Sequence, residues 1–472
     1  MKRKGFVVLS SVLAVILQAV FAGIPVASDV EREFPNGARI VFFGDSITHH
    51  GHWSGAIADW LLTHYPERHY EFVNAGVAGD SAGNALLRVS EDVVPANPTL
   101  IISMFGMNDI GRHSYKGDKT TPEMVKQQQT SLSAYRKNIS ALRDELHRKC
   151  PQAKLQWLTP SPYDDRVLPE GQSHLGANRG LAKCAEIIRE ETARSGDAYI
   201  EVHAPMTDFV DGLWKSNAGF SLCGKDGIHP REDGGLFMAW CYLKAVKADP
   251  TVSDVVLNVR KLKVEKCVNA RLSGLAARSG GIVFTLRENS LPMPVREGAE
   301  RVADRIPFEE LSRETLTVKG LGTGDWELKI DGGVVLHAKA EEFARGVELS
   351  RRETPQKRQA QEIAALNAKI RRVADLRQCY RALRHFKLRR ELKGNVDDRA
   401  SVAAFYETHR GDPGLRNDYF WQFAESYVKE WPVVEKKNAE IAVMLGKIED
   451  LRIPMSHKYE IIPVVMQEKE DE

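Results

Sequence analysis

The sequence predicts an α/β fold, a three-layer α/β/α sandwich around a five-stranded parallel sheet, followed by a small β-rich module and a C-terminal helical hairpin. Between residues 38 and 247, short apolar runs alternate with longer helical patterns, as in a parallel sheet covered by helices. Residues 254–345 change to β-like alternation, and a helical spacing of apolar residues follows Thr354. These patterns give predicted boundaries at 1–27, 28–250, 251–350 and 351–472.

Five apolar runs are the candidate strands of the parallel sheet. They are Arg39 to Gly44, Tyr70 to Ala75, Thr99 to Phe105, Lys154 to Thr159 and Ala198 to His203. Parallel strands need crossover connections, which are right-handed in nearly all cases. Ligands of such sheets bind beyond the carboxyl ends of the strands, so functional residues are expected there.

The regions after residue 250 carry weaker but interpretable signals. Asp331 and Gly332 can supply the positive φ angles of a tight turn between two strands, which predicts a β-hairpin. Thr354, followed by a proline, is a predicted helix N-cap. An antiparallel partner helix is predicted over residues 414–450, bent at Pro432. Apolar residues of the first helix recur every three or four positions, at Ile363, Leu366, Ile370, Val373, Leu376, Tyr380 and Leu383.

The N-terminal segment 1–27 predicts export. Basic residues at positions 2–4 precede an apolar run from Phe6 to Phe21, as in a cleaved signal peptide, with an uncleaved membrane anchor as the alternative. The expected location is periplasmic or extracellular, without stable membrane insertion after cleavage. Six cysteines in an exported chain permit disulfides, but their pairing cannot be chosen from the sequence and none has a metal-binding spacing.

The charge balance excludes a general electrostatic attraction to nucleic acid. The chain has 66 Lys and Arg residues against 64 Asp and Glu residues, a formal net charge of +2. A nucleic-acid partner is therefore not expected.

Four polar blocks fall at the ends of the predicted strands or in a loop before the last helix of the α/β segment. The blocks are GDSIT at 44–48, NAGVAGD at 74–80, GMND at 106–109 and DGIHP at 226–230. The topology brings all four to one edge of the sheet. An acyl-transfer site needs a nucleophile, a base, a group that orients the base, and donors for the oxyanion. Ser46, His229 and Asp226 fit the first three roles in that order.

Donors for the oxyanion are predicted from the backbone N–H of Ser46, the side-chain amide of Asn108 and a glycine N–H of the second block. Gly76 and Gly79 of this block, and Gly83 shortly after it, are all available as the glycine donor. A glycine there lets the backbone approach the substrate closely.

Together the blocks resemble the SGNH hydrolase family, also called the GDSL-like lipases and esterases, over about residues 38–247. The resemblance selects Gly79, the glycine before Asp80, as the second donor, and it implies ester hydrolysis through an acyl-enzyme with no cofactor. Asp45, Asp80 and Asp109 flank the functional positions and are interpreted as structural carboxylates that bond backbone N–H groups.

Four side chains near the predicted site are assigned to the substrate pocket: His49, His50, Trp53 and Tyr115. Because His52 and His113 lie close by in the sequence, a zinc site is the alternative use of the histidines. Zinc needs ligands that are held rigidly, and these lie in a predicted loop, so we predict no metal site.

The function expected from these features is an exported serine esterase, with carbohydrate O-acetyl esterase as the favoured activity. The substrate would be a small-molecule or polysaccharide ester. Alternatives of the same fold are a lipase or lysophospholipase and an O-acyltransferase. A carbohydrate-binding or envelope-interaction protein without enzymatic activity is the alternative from another class. The C-terminal helices could form an oligomer or a docking platform.

Overall fold

The computed structural model describes residues 33–169, 171–385, 398–413 and 421–464. The predicted signal peptide, the first residues of the predicted partner helix and the last eight residues of the chain lie outside these ranges. What the sequence predicts for these three segments stays a prediction.

The first structural unit is a five-stranded sheet in which all neighbouring strands are parallel. Its strands are β1 (Ala38–Gly44), β2 (Tyr70–Gly76), β3 (Leu100–Met104), β4 (Lys154–Leu158) and β5 (Ala198–Ile200). The spatial order is β2-β1-β3-β4-β5, so the chain reverses its direction of travel across the sheet after β2. The carboxyl ends of β1 and β3 therefore lie side by side, at the kind of position where α/β sheets bind ligands. The predicted fold class is confirmed, and a strand lies at each of the five predicted places, although β5 ends at Ile200 and His203 begins a helix instead of ending the strand.

Seven helices accompany this sheet in the described residues. They are α1 (Ser46–His50), α2 (His52–His64), α3 (Ala82–Ala85), α4 (Pro122–Lys149), α5 (Ala177–Ser195), α6 (His203–Trp214) and α7 (Glu232–Ala245). The helix α2 packs against α7, and α4 packs against α5. Large side chains such as Trp60, Trp157 and Phe105 are almost completely buried between the sheet and these helices. Burial of this apolar surface is the main stabilising contribution.

The β-rich module contains two further sheets and two short helices, α8 (Glu300–Ala303) and α9 (Ala340–Arg345). A mixed four-stranded sheet consists of β6 (Thr251–Asn258), β7 (Lys263–Val268), β10 (Arg313–Lys319) and β13 (Val347–Glu348). An antiparallel five-stranded sheet consists of β8 (Ala270–Arg278), β9 (Gly281–Glu288), β11 (Asp325–Ile330), β12 (Gly333–Lys339) and β14 (Ser456–Pro463). The predicted hairpin joins β11 to β12, with φ of 51° at Asp331 and 81° at Gly332.

The strand β14 was missed by the sequence analysis, which assigned 351–472 to a helical hairpin region, with the second helix over 414–450 and no strand after it. This strand pairs with β9 on one side and β11 on the other, in the middle of its sheet. Tyr459 and Ile461 point into the core of the module and are fully buried. A single short strand after a long helix has little local signal, because its partners lie more than 120 residues earlier in the chain.

Three helices form the C-terminal helical region: α10 (Pro355–Leu383), α11 (Arg399–His409) and α12 (Trp421–Leu451). Thr354 caps α10 by accepting a hydrogen bond from the Lys357 N–H at 3.1 Å, as predicted. The helices α10 and α12 run antiparallel, because Gln359 contacts the Leu451 carbonyl at one end and Tyr380 stacks on Tyr427 at the other. Pro432 lies inside α12.

The helix α10 also packs against the α/β unit. Asn367 donates a hydrogen bond to the Asp59 carboxylate at 2.7 Å, and Arg371 donates to the Gly51 carbonyl at 2.8 Å. Ile363 is fully buried beside Leu62 of α2. This packing brings the middle of α10 to the segment that follows β1.

All six cysteines lie in the described ranges, and each has a free thiol. Within the described part of the chain, no helix combines the length and apolar character needed to cross a bilayer.

Two buried carboxyl groups face each other between the sheets of the β-rich module. Glu288, at the end of β9, and Glu314, on β10, are each 1% exposed. Burial raises the pKa of Glu288 to about 7. Burial also raises the pKa of Glu314, and the nearby carboxyls of Glu288 and Glu348 raise it further. Ser253 donates a hydrogen bond to Glu288 at 2.5 Å. The module is therefore most stable when these acids are protonated.

We expect Glu314→Gln to stabilise the protein at pH 8 and to leave its stability almost unchanged at pH 4. The raised native pKa values mean that the native state holds protons that the unfolded state has released. Stability of the wild type therefore falls as pH rises from the unfolded pKa near 4.5 through 7. The expected gain is about 1–3 kcal/mol at pH 8. Thermal unfolding at both pH values measures it, with the exposed Glu341→Gln as control, and equal pH dependence in wild type and Glu314→Gln would contradict the prediction.

Candidate active site

Ser46 is the first residue of α1 and lies directly beyond the carboxyl end of β1. Asp45 caps this helix by accepting a hydrogen bond from the Ile47 N–H at 3.0 Å. The turn between strand and helix is tight, because a Cβ atom on Gly44 would lie 2.2 Å from the Thr48 hydroxyl and 2.7 Å from the Met104 carbonyl. The sequence thus forces the serine to the edge of the sheet.

His229 connects Ser46 to Asp226 through two hydrogen bonds. The Ser46 hydroxyl lies 2.8 Å from His229 Nε2, and His229 Nδ1 lies 2.6 Å from Asp226 Oδ2. With the proton on Nδ1, Nε2 is free to accept the serine proton. The structure therefore brings together, from positions 183 residues apart, the three side chains predicted as nucleophile, base and orienting acid.

The loop around Asp226 holds the imidazole in this orientation. The other carboxylate oxygen of Asp226 accepts hydrogen bonds from the Ile228 N–H at 2.9 Å and the His229 N–H at 3.0 Å. Gly227 has φ of +71°, and a Cβ atom there would lie 2.4 Å from the Asp164 carbonyl. Partial burial opposes ionisation of Asp226, but hydrogen bonds from the imidazole and the two N–H groups outweigh it and lower its pKa. Asp226 is thus ionised at neutral pH, although half of its side chain is exposed.

The second and third sequence blocks meet beside this triad. One N–H of the Asn108 side chain donates to the Asp80 carbonyl at 2.8 Å, which fixes the amide next to Gly79. Gly79 itself has φ of +77°, a conformation that favours glycine. The second N–H of the Asn108 amide remains as a donor for an oxyanion. These positions agree with the predicted oxyanion hole, whose role remains a prediction.

We expect Asn108→Ala to lower kcat by about 10² to 10³ with little change in KM, because an oxyanion donor acts mainly in the transition state. Steady-state kinetics on p-nitrophenyl acetate measure this effect. Asn138→Ala, a change of an amide on α4, is the control. A loss below about threefold in Asn108→Ala would exclude the amide from the oxyanion hole.

A buried arginine that the sequence analysis missed ties these blocks together. Arg88 is 1% exposed and donates to the Asp80 carboxylate through Nε at 2.7 Å. It also donates to the carbonyls of Ala75 at 2.7 Å and Gly44 at 3.0 Å, and to Asp92 at 3.1 Å. Gly44 and Ala75 lie at the ends of β1 and β2. A single guanidinium therefore links both strand ends to the block that carries Gly79.

The three flanking aspartates have the structural role predicted for them. Asp45 caps α1, as described above. Asp80 accepts a hydrogen bond from the Ser81 N–H at 2.9 Å, and Asp109 accepts one from the Ala82 N–H at 2.9 Å. Burial raises the pKa of Asp109 to about 8. Their contacts hold the backbone of the site rather than a substrate.

The residues assigned to the substrate pocket are found in different surroundings. The His50 ring lies 4.8 Å from the His229 ring, so His50 adjoins the catalytic imidazole. His49 turns away from it and places Nε2 2.9 Å from the Asp375 carboxylate of α10. His52 contacts Glu232 at 3.2 Å.

Trp53 and Tyr115 lie in the hydrophobic core. Trp53 is 1% exposed and packs edge-on against Phe42, while Tyr115 is 5% exposed and its hydroxyl approaches Gly180. Both side chains thus fill space between elements, and the structure shows no contact of either with the triad. Proximity in the chain to Ser46 or Asn108 was the only basis for assigning them to the pocket.

Comparison with known proteins supports an ester hydrolase. The model of the GDSL-like Lipase/Acylhydrolase family matches residues 42–235, in agreement with the resemblance seen in the sequence. An acetylxylan esterase from Geobacillus stearothermophilus is 20% identical over 226 residues, which are 45% of this chain and 94% of that protein. Its crystal structure covers the same 45% of this chain at 19% identity with a TM-score of 0.36.

A second solved structure matches far more of the chain. It is the gut microbial diltiazem-metabolizing enzyme BT4096, which is 25% identical, with a TM-score of 0.81. The match covers 91% of this chain and 98% of that one. The α/β unit, the β-rich module and the C-terminal helices therefore occur together in another protein.

Proposed function

We propose that the protein is an exported serine esterase that removes short acyl groups, acetyl above all, from carbohydrate through an acyl-enzyme on Ser46. The single observation that carries the mechanism is the continuous hydrogen-bonded chain from Asp226 through His229 to the Ser46 hydroxyl. Stability of the fold does not require residues from two distant segments to line up as carboxylate, imidazole and hydroxyl at the end of a strand. An acyl-transfer site needs this order.

The chemistry follows from the positions of the atoms. His229 Nε2 takes the proton of Ser46 as its oxygen attacks the ester carbonyl, and Asp226 stabilises the imidazolium that forms. The N–H groups of Ser46 and Gly79 and the Asn108 amide receive the negative charge on the carbonyl oxygen. His229 then protonates the leaving alcohol. Water, deprotonated by the same imidazole, releases the acid from Ser46.

The surroundings of the catalytic imidazole favour a polar alcohol. His50 lies beside His229, and His52 lies next to His50 with its ring paired to Glu232. Imidazole groups can exchange hydrogen bonds with the hydroxyls of a sugar, whereas a lipid chain offers no such partners.

The relatives support the same substrate class. One of them is named for the esterase activity on acetylated xylan. The family model of GDSL-like lipases and acylhydrolases matches residues 42–235, a range that includes the three triad positions. The basic and apolar N-terminal sequence supports export, which would bring the enzyme to soluble acetylated polysaccharides. The C-terminal helices are a proposed site of oligomer formation.

Two measurements test the proposal. A fluorophosphonate probe should label the wild-type protein and not Ser46→Ala. Hydrolysis of p-nitrophenyl acetate, butyrate and octanoate should show kcat/KM for acetate at least about tenfold above that for octanoate. Release of acetate from acetylated xylan and acetylated glucose, compared with release of fatty acid from a lysophospholipid, identifies the alcohol.

Equal probe labelling of wild type and Ser46→Ala would refute the acyl-enzyme on Ser46. Preference for octanoate or for the lysophospholipid would refute the short-acyl carbohydrate substrate while leaving the mechanism intact. Mature protein that begins at residue 1 and is retained in the cytoplasm of its source cell would refute export.

A further inference from the structure

A histidine, a carboxylate and a thiol from two separate parts of the chain converge next to the catalytic helix. His49 lies on α1, three residues after Ser46, and Asp375 and Cys379 lie one turn apart on α10. His49 Nε2 is 2.9 Å from Asp375 Oδ1 and 3.9 Å from Cys379 Sγ. All three potential ligand atoms lie within 4.8 Å of one another.

The two distances measured from His49 Nε2 are close to those between ligand atoms around one tetrahedral ion. Zinc bonds of about 2.0–2.3 Å at tetrahedral angles place neighbouring ligand atoms roughly 3.3–3.7 Å apart. The distance from His49 to Asp375 is a few tenths of an ångström shorter than this, and that from His49 to Cys379 slightly longer. The third separation, between Asp375 Oδ1 and Cys379 Sγ, is no more than 4.8 Å, and rotation of these two side chains would bring both ligand atoms toward one ion.

The surroundings fix the histidine and leave one side open. His49 is 4% exposed and its Nδ1 is buried, so Nε2 is the nitrogen presented to the α10 side chains. The Asp375 side chain is 48% exposed, so solvent can reach the cluster from that direction. Three protein ligands with an open fourth position are a common zinc arrangement.

We infer that His49, Asp375 and Cys379 form a binding site for a thiophilic divalent cation, with Zn²⁺ as the best fit. A set of one imidazole, one carboxylate and one thiolate suits zinc and is poorly suited to Mg²⁺ or Ca²⁺, which prefer oxygen ligands. The ion would connect α1, which begins with the nucleophile, to α10 of the helical hairpin. The proposed metal site is separate from the triad, since its three ligands are different residues from Ser46, Asp226 and His229.

Binding requires loss of one proton. The metal ligand is the thiolate and not the thiol, so Cys379 must release its proton when the ion binds. Zinc replaces that proton: the S–H bond breaks, the Zn–S bond forms, and the proton passes to buffer. His49 donates its neutral nitrogen and Asp375 its carboxylate.

The test uses the full-length, untagged protein after removal of metal with a chelator. Addition of Co²⁺ should produce a thiolate-to-cobalt charge-transfer band in the near ultraviolet that saturates at one ion per chain, and Zn²⁺ should abolish it. Cys379→Ser should lose the band and weaken Zn²⁺ binding at least about 100-fold in a competition titration, since removal even of a group that only supports a ligand costs 10- to 100-fold. Asp375→Asn should weaken binding about 10-fold or more.

Cys267→Ser is the matched control, because this thiol lies on β7 of the β-rich module. It should bind Zn²⁺ as the wild type does. Fluorophosphonate labelling of Ser46 in each variant shows that the catalytic site is still folded. The inference is overturned if the wild type shows no charge-transfer band, if Cys379→Ser retains wild-type affinity, or if Asp375→Asn lowers thermal stability without any effect on metal affinity.

Discussion

Replacing Ser46 with alanine is expected to lower kcat by at least about 10⁴, and replacing His229 with alanine should cost about as much. The two side chains act as one unit through the 2.8 Å hydrogen bond between Oγ and Nε2. The double variant should therefore be no slower than either single variant, within about threefold. Steady-state rates on p-nitrophenyl acetate for all three variants measure this non-additivity.

Ser133→Ala, on the exposed face of α4, is the control for a serine substitution and should retain wild-type kcat. Unfolding temperatures close to the wild-type value would show that Ser46→Ala keeps its fold. A double variant that loses the product of the two single effects would mean that Ser46 and His229 act independently, and would contradict the acyl-enzyme mechanism.

The largest expected effect on stability comes from Arg88→Met. Methionine has a similar length but no donors, so the carboxylates of Asp80 and Asp92 and the carbonyls at the ends of β1 and β2 would remain buried without their partner. Removing one partner of a buried ion pair costs about 3–5 kcal/mol. Urea denaturation followed by tryptophan fluorescence measures the change in the free energy of unfolding.

A second substitution separates the ion pair from the packing. Arg88→Met combined with Asp80→Leu removes the Arg88–Asp80 charge pair and should recover part of the loss, because only the Asp92 carboxylate is then left without its arginine partner. Arg39→Met, at an arginine on the partly buried start of β1, is the control and should cost less than about 1 kcal/mol. A loss in Arg88→Met as small as in this control would show that the buried network contributes little to stability.

The local sequence was sufficient to predict the elements around the site. The apolar run before Ser46 predicted β1, and Asp331 with Gly332 predicted the hairpin, because strand burial and turn conformation depend on adjacent residues. The sequence was insufficient for β14, which is held in place by β9 and β11. It was also misleading for Trp53 and Tyr115, since nearness in the chain does not show which way a side chain points.

By itself the sequence determined the α/β fold class. It also placed Ser46, Gly79 and Asn108 after strand ends, and Asp226 and His229 in the loop before α7, because parallel connections bring successive carboxyl ends to one edge. Tertiary structure alone decided the buried partners of Arg88 and the meeting of His49 with Asp375 and Cys379. The partners of Arg88 depend on how the ends of β1 and β2 come together around its side chain. The contacts of His49 join residues up to 330 positions apart and depend on how α10 packs against the α/β unit, which no local pattern of residues specifies.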